Sequence, residues 1–528
     1  MLFRSLEALI FALRSMSESV PYDEEKFIPK IFDLIAKIPF SDCQAPEIYC
    51  TCTEMIAAYS DWLFTHTSYL STAYEIMFLG VAVPNPYVRL IATVSLKDVT
   101  SECQNVLHPY AQNIVKSCSD AILIHGQILD SSEKARLMHT FGCAVVMACP
   151  EVINDCLAAL TSPLMNELAA VAQQTGDLDA THRAVILDRL NMLNSLFESL
   201  HVREYCGNDY EDADENNMIL FEATRLHSAQ GEADKTKIVQ PAVSLLQQLI
   251  PILKILVENY KSDEEVMMKI SESVTKSAKN LSIEIKPVLE DLMEILINAY
   301  DPLLNFSTIQ ETVLLFNIFR VDPTVRGFLR DAFATITDKT LSYCLNNPLR
   351  QLSVTVEVYF KFAYLICKRF FYFFTEQPCH FDVDLLYKLA LASLELPEKR
   401  TLTEVCNFLT MFRMKSLGEP QLHAIFVSHL DLLLASIFNI FAGNYATPRN
   451  AIDTVTDMLF FIFDAQEAVP ILDQIVKREN FPSPLATNDG KARLVSTLLQ
   501  EAKRKNRRKF KDACTEFVFK VRNINRVM

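Results

Sequence analysis

Cys43, Cys50 and Cys52 with His66 downstream, and His139 with Cys143 four residues on, bring this 528-residue chain nearest to metal chemistry. A structural zinc site takes its ligands from Cys or His pairs with two to four residues between them. The first group lacks such pairs, so buried structural thiols are the better reading. Phe141, Val145 and Val146 make the face shared by His139 and Cys143 a core face. No Gly-rich phosphate loop, Gly-x-Ser-x-Gly elbow or Cys-x-x-Cys pair occurs, and the ten Gly are isolated. The expectation is no enzyme, with catalytic, cofactor-binding and metal residues all none.

Charge is the other chemistry on offer. Asp209, Glu211, Asp212, Asp214 and Glu215 put five carboxylates in seven positions, enough to attract a basic protein surface at long range. A solvated connector is the competing reading. From Lys491 onward twelve Lys/Arg face three Asp/Glu, a net of +9, which leaves −24 on residues 1–490 of the overall −15. So acidic a body repels nucleic acid and favours basic protein partners. The run KRKNRRKFK (Lys503 to Lys511) reads as a localisation signal or nucleic-acid patch. Equally, it is the solvated face of a capping helix whose apolar side is Leu498, Leu499, Ala502, Phe510, Cys514, Phe517, Val518 and Val521. The aromatic run Phe370 to Phe374 is expected to pack between neighbouring elements, because exposure of so large a patch would promote aggregation.

The elements that must hold these residues are helices. Half the residues are apolar, and apolar positions recur every three or four residues, as in Phe27, Ile28, Ile31, Phe32, Leu34, Ile35 and Ile38. Asp322 followed by Pro323 reads as an N-cap with a first-turn Pro. Pro29, Pro109, Pro163, Pro251 and Pro287 each stand near the expected start of a Leu-rich helix, mostly one or two helix-pair units apart. Asn85 to Gln104 and Asp263 to Asn280 read as helices preceding two of these, and Val88, Arg89 and Ala92 carry the Val-Arg-x-x-Ala pattern of a HEAT second helix. A helix pair leaves an apolar face that only the next pair can cover. The expected fold class is all-α, an α-α superhelix of the HEAT/armadillo type. Expected divisions are repeats over 1–206, an acidic and polar loop over 207–236, repeats over 237–480, and a linker with basic capping helices over 481–528. No membrane insertion and no secretory signal are expected. Scattered unpaired Cys fit a reducing compartment.

Several segments resemble the importin-13/transportin-3 branch of the importin-β (karyopherin-β) receptors. They are Ala58 to His66, Val94 to Asp120, Leu160 to Gln174, His182 to Leu200 and Val243 to Leu281, in matching order and spacing. The resemblance implies a nuclear transport receptor moving between nucleus and cytoplasm, with protein cargo, the Ran GTPase and nuclear pore proteins as partners. It implies no cofactor and no direct nucleic-acid binding. The acidic residues 209–215 coincide with an acidic insertion in that family. The chain also resembles only the C-terminal half, so the N-terminal arch that chiefly grips Ran-GTP has no counterpart and Ran binding is expected to be weakened or lost. Phe3, Leu6, Leu9, Ile10 and Leu13 would then form the face of an interior helix with apolar surface left bare. The alternative is a helical scaffold that holds a protein complex without Ran.

Overall fold

The computed structural model describes residues 2–40, 46–174, 180–201, 232–303, 305–463 and 467–523, without the side chains of 2–4, 150, 232–237 and 462. Among these residues every regular element is a helix. The expected all-α class holds. Two compact units divide the chain, Met1–Ile295 and Leu296–Met528.

In the first unit the α-helices are α1 (Leu2–Ser15), α2 (Ile28–Ile35), α3 (Pro46–Ala58), α4 (Ser60–Thr65), α5 (Leu70–Val81), α6 (Pro86–Glu102), α7 (Ala111–His125), α8 (Ser131–Val146), α9 (Pro150–Ala172), α10 (Ala180–Ser199), α11 (Glu232–Tyr260) and α12 (Glu264–Leu281). The unit boundary falls within α13 (Leu289–Ala299). Helices α3, α6, α8, α10 and α12 lie side by side as one layer, and α5, α7, α9 and α11 back it as the first members of pairs. Local chemistry sets several starts. The Asn85 side chain accepts from Tyr87 N at 3.0 Å with Pro86 at the first helical position, and Asp263 accepts from Val266 N at 3.1 Å. Asp130 and Glu133 form a reciprocal capping box on α8.

The second unit contains α14 (Thr308–Ile318), α15 (Arg326–Asn346), α16 (Ser353–Arg369), α17 (Tyr372–Thr375), α18 (Val383–Ser393), α19 (Lys399–Ser416), α20 (Pro420–Ser428), α21 (Leu430–Ala442), α22 (Ile452–Ile462), α23 (Ala468–Lys477), α24 (Asn488–Lys503) and α25 (Arg507–Val521). Here α16, α19, α22 and α25 form the side-by-side layer, with α15, α18 and α21 behind it. Gly443 ends α21 at φ +83°, where a side chain would be strained. The aromatic run is core, as its length suggested. Phe370, Phe373 and Phe374 are buried, and Phe333 meets Phe362 at 5.4 Å and Phe381 at 5.0 Å between ring centroids.

Two helix starts read from proline are corrected. Pro163 lies inside α9 and Pro251 inside α11. Ile153, Leu157 and Leu160 before Pro163, and Leu164, Met165 and Leu168 after it, are all buried. Burial on both sides outweighs the roughly 3 kcal/mol that an interior proline costs. Pro323 also opens a short 3₁₀ turn capped by Asp322, and α15 begins only at Arg326. Residues Ile238–Tyr260 of α11 are long and apolar enough to span a bilayer by composition. Gln240, Ser244, Gln247, Gln248 and Glu258 form an exposed polar stripe along it, opposite the buried apolar side chains.

Candidate protein-binding surface

Several side-chain pairs join helices 40 to 50 residues apart in the chain. Arg14 reaches Glu54 at 2.7 Å, 40 residues on, and Arg89 reaches Glu133 at 3.1 Å, 44 residues on. In the second unit Arg330 meets Glu376 (2.6 Å, 46 residues), Arg478 meets Asp431 (2.8 Å, 47 residues) and Arg507 meets Asp457 (2.7 Å, 50 residues). His429 Nε2 lies 2.7 Å from Asp384, 45 residues away. These separations are close to one HEAT-type repeat. Arg183 bridges 80 residues to Asp263 at 2.6 Å, so one joint spans the long segment before α11.

The Arg89 joint is the buried one. Its side chain is 9% exposed and that of Glu133 is 1% exposed. Arg89 also donates to the carbonyls of Pro84 (2.7 Å) and Val83 (3.2 Å), while Glu133 accepts from Asp130 N at 2.9 Å. The guanidinium fork therefore ties the turn before α6 to the cap of α8, and α6 and α8 cannot slide past one another. Further along the layer Asn194 donates to the Lys269 carbonyl at 2.9 Å and accepts from Ser273, while Lys276 pairs with Glu198 at 2.9 Å. Burial pushes the Glu198 carboxyl up, but the Lys276 hydrogen bond and charge outweigh it, and the carboxyl lies below its ordinary range.

Held this way, the layer turns a mixed face outward. On α6 the outward positions are Leu90, Ile91, Val94, Lys97 and Asp98; on α12 they are Met268, Lys269, Glu272, Thr275 and Lys276. Burial raises the Asp98 carboxyl and lowers the Arg136 guanidinium, and Arg136 donates to Thr93 at 2.9 Å. Half-desolvated charges beside isolated apolar side chains suit reversible protein contact. Burial pushes the thiols of Cys50 and Cys344 up to about 11, and those of Cys103 and Cys367 up to about 12, so they remain protonated near neutrality.

Sequence-derived candidates fare unevenly. Asp209, Glu211, Asp212, Asp214 and Glu215 lie outside the described residues, as does Cys43. Cys50 and Cys52 are buried in α3, whereas the His66 ring stacks on Trp62 with centroids 4.1 Å apart. His139 and Cys143 share the buried face of α8, with Sγ and Nδ1 3.7 Å apart. On α1, Ile10 is buried but Leu6 and Leu9 are 40% and 64% exposed. The repeat joints are what the sequence reading missed. Only an Arg or His paired with a carboxylate 40 to 50 residues away signals them, and single-chain periodicity does not weigh such pairs.

Known proteins share this architecture. A family model described as Importin 13 repeat matches residues 394–465. Importin-13 of Pongo abelii and of Homo sapiens are each 24% identical to the chain over 523 residues, 98% of this chain and 51% of theirs. The chain thus spans about half the length of the curated relatives it matches. A solved structure titled "Importin13 cytosolic state" superposes with a TM-score of 0.78 at 22% identity, covering 98% of this chain and 55% of its own. The resemblance to the importin-13 branch of the karyopherin-β receptors extends along almost the whole chain.

Proposed function

We propose that this chain is the cargo-binding part of a nuclear transport receptor of the importin-13 type, acting in nucleus and cytoplasm under the control of Ran. The observation that carries the reading is the match to importin-13 along 98% of the chain, in sequence and in fold alike. Cargo protein docks on the outward face of the layer formed by α6, α8, α10 and α12, whose joints keep the helices in fixed register. Asp209, Glu211, Asp212, Asp214 and Glu215 speed the approach of a basic cargo, and nuclear pore proteins provide passage.

Permeabilised cells test the reading. The fluorescently labelled chain, supplied with Ran and an energy source, should gather at the nuclear envelope and enter nuclei faster than an inert protein of equal size. Exclusion to the same degree as the inert protein would favour a helical scaffold instead.

A further inference from the structure

The α24–α25 turn concentrates positive charge that the fold neutralises only in part. Arg504 pairs with Glu501 at 3.2 Å, and Arg507 and Lys511 share Asp457 at 2.7 and 2.9 Å. Lys503, Lys505, Arg508 and Lys509 are exposed and make no ion pair among the described residues. Arg507, Arg508 and Lys509 also occupy the first turn of α25, which holds no acidic residue. Cations there oppose the positive end of the helix dipole, so stability alone would not select them. The turn itself is fixed. Lys505 sits at φ +53°, Asn506 caps Lys509 N at 3.2 Å, and Phe510, Cys514 and Phe517 anchor α25 in the core.

We propose that this turn is a docking site for an acidic, Asp/Glu-rich segment of a partner protein. Charge complementarity supports that occupant, and a rigid turn presents its cations with little ordering entropy left to lose on binding. Nucleic acid is the poorer fit, because a long polyanion must extend past the few cations of the turn, where the net −24 on residues 1–490 repels it, whereas a short acidic segment ends within the turn. The site would select partners different from the basic cargo attracted by the acidic body.

The test uses the full chain at low ionic strength with three labelled probes, a hexaglutamate peptide, a hexaglutamine peptide and a single-stranded oligothymidylate. The hexaglutamate peptide should bind, weakening as salt rises, and hexaglutamine should not. The combined variant Lys503→Gln, Lys505→Gln, Arg508→Gln and Lys509→Gln should weaken hexaglutamate binding about tenfold or more, since several charge contacts are lost together. A control with Lys399→Gln and Arg400→Gln, which removes exposed charge at the start of α19, should bind as the parent does. The Lys-to-Arg version of positions 503, 505 and 509 should keep affinity, which separates charge from folding. No hexaglutamate binding, equal losses in the two Gln variants, or tighter oligothymidylate binding would each overturn the proposal.

Discussion

Arg89 and Glu133 show how much a single buried pair decides. Exposed ion pairs contribute about 0–1 kcal/mol, but removing one partner of a buried pair leaves an uncompensated charge and costs about 3–5 kcal/mol. Glu133→Ala, which also removes the reciprocal half of the α8 capping box while leaving the Asp130 cap, should lower the thermal midpoint sharply, and hydrogen exchange should locate the opening in the first turn of α8. Arg89→Met with Glu133→Leu should recover most of that loss. Equal instability of single and double variants would show that the cap, not the charge, matters. The carboxylates at other joints give a pH signature. Hydrogen bonds from Arg507 and Lys511 outweigh burial at Asp457, and hydrogen bonds from Lys388 and His429 act on Asp384, so both carboxyls lie below their ordinary range. A depressed folded pKa contributes stability above the unfolded value of about 3.9 and loses it as pH falls through the folded one. Urea midpoints should therefore stay level from pH 7 to about 5 as far as these groups are concerned, then fall below about 4. Asp457→Asn should reduce that fall.

At the scale of the helix, close approach matters more than propensity. A Cβ on Gly142 would stand 1.9 Å from Ser199 Oγ and 3.0 Å from Ser199 Cβ, so α8 and α10 meet there with no room to spare. Gly142→Ala should cost about 1–3 kcal/mol by overpacking, read from the unfolding midpoint, and Ser199→Gly should restore part of it. An undiminished midpoint would mean that the two helices can separate freely. Helix existence was legible from apolar spacing, and the starts at Asn85 and Asp263 from their caps, because those signals act within one turn. Pro163 and Pro251 misled for the opposite reason. Local chemistry at a proline argues for a start, but the apolar stripe continues through it and tertiary burial decides.

For the whole molecule, each layer is a row of helices locked to its neighbours at the repeat period, and stability should spread along it by nearest-neighbour coupling. The stacking was legible because one helix pair cannot cover its own apolar face. The joints were not, since residues 40 to 50 apart carry no local pattern. Changing Asp209, Glu211, Asp212, Asp214 and Glu215 together to Asn or Gln should slow association with a basic cargo and flatten its salt dependence while dissociation hardly changes, because exposed charges act over about 8 Å in physiological salt. An unaltered association rate at low salt would make that segment a solvated connector. The central claim, protein carriage governed by Ran, is tested most directly by forming cargo complexes on the immobilised chain and challenging them with Ran loaded with a non-hydrolysable GTP analogue or with GDP. The account predicts that Ran binding is weakened rather than lost, so that the GTP form alone, supplied in excess, changes the amount of cargo retained, by release or by joint loading. Identical retention with both forms would contradict it.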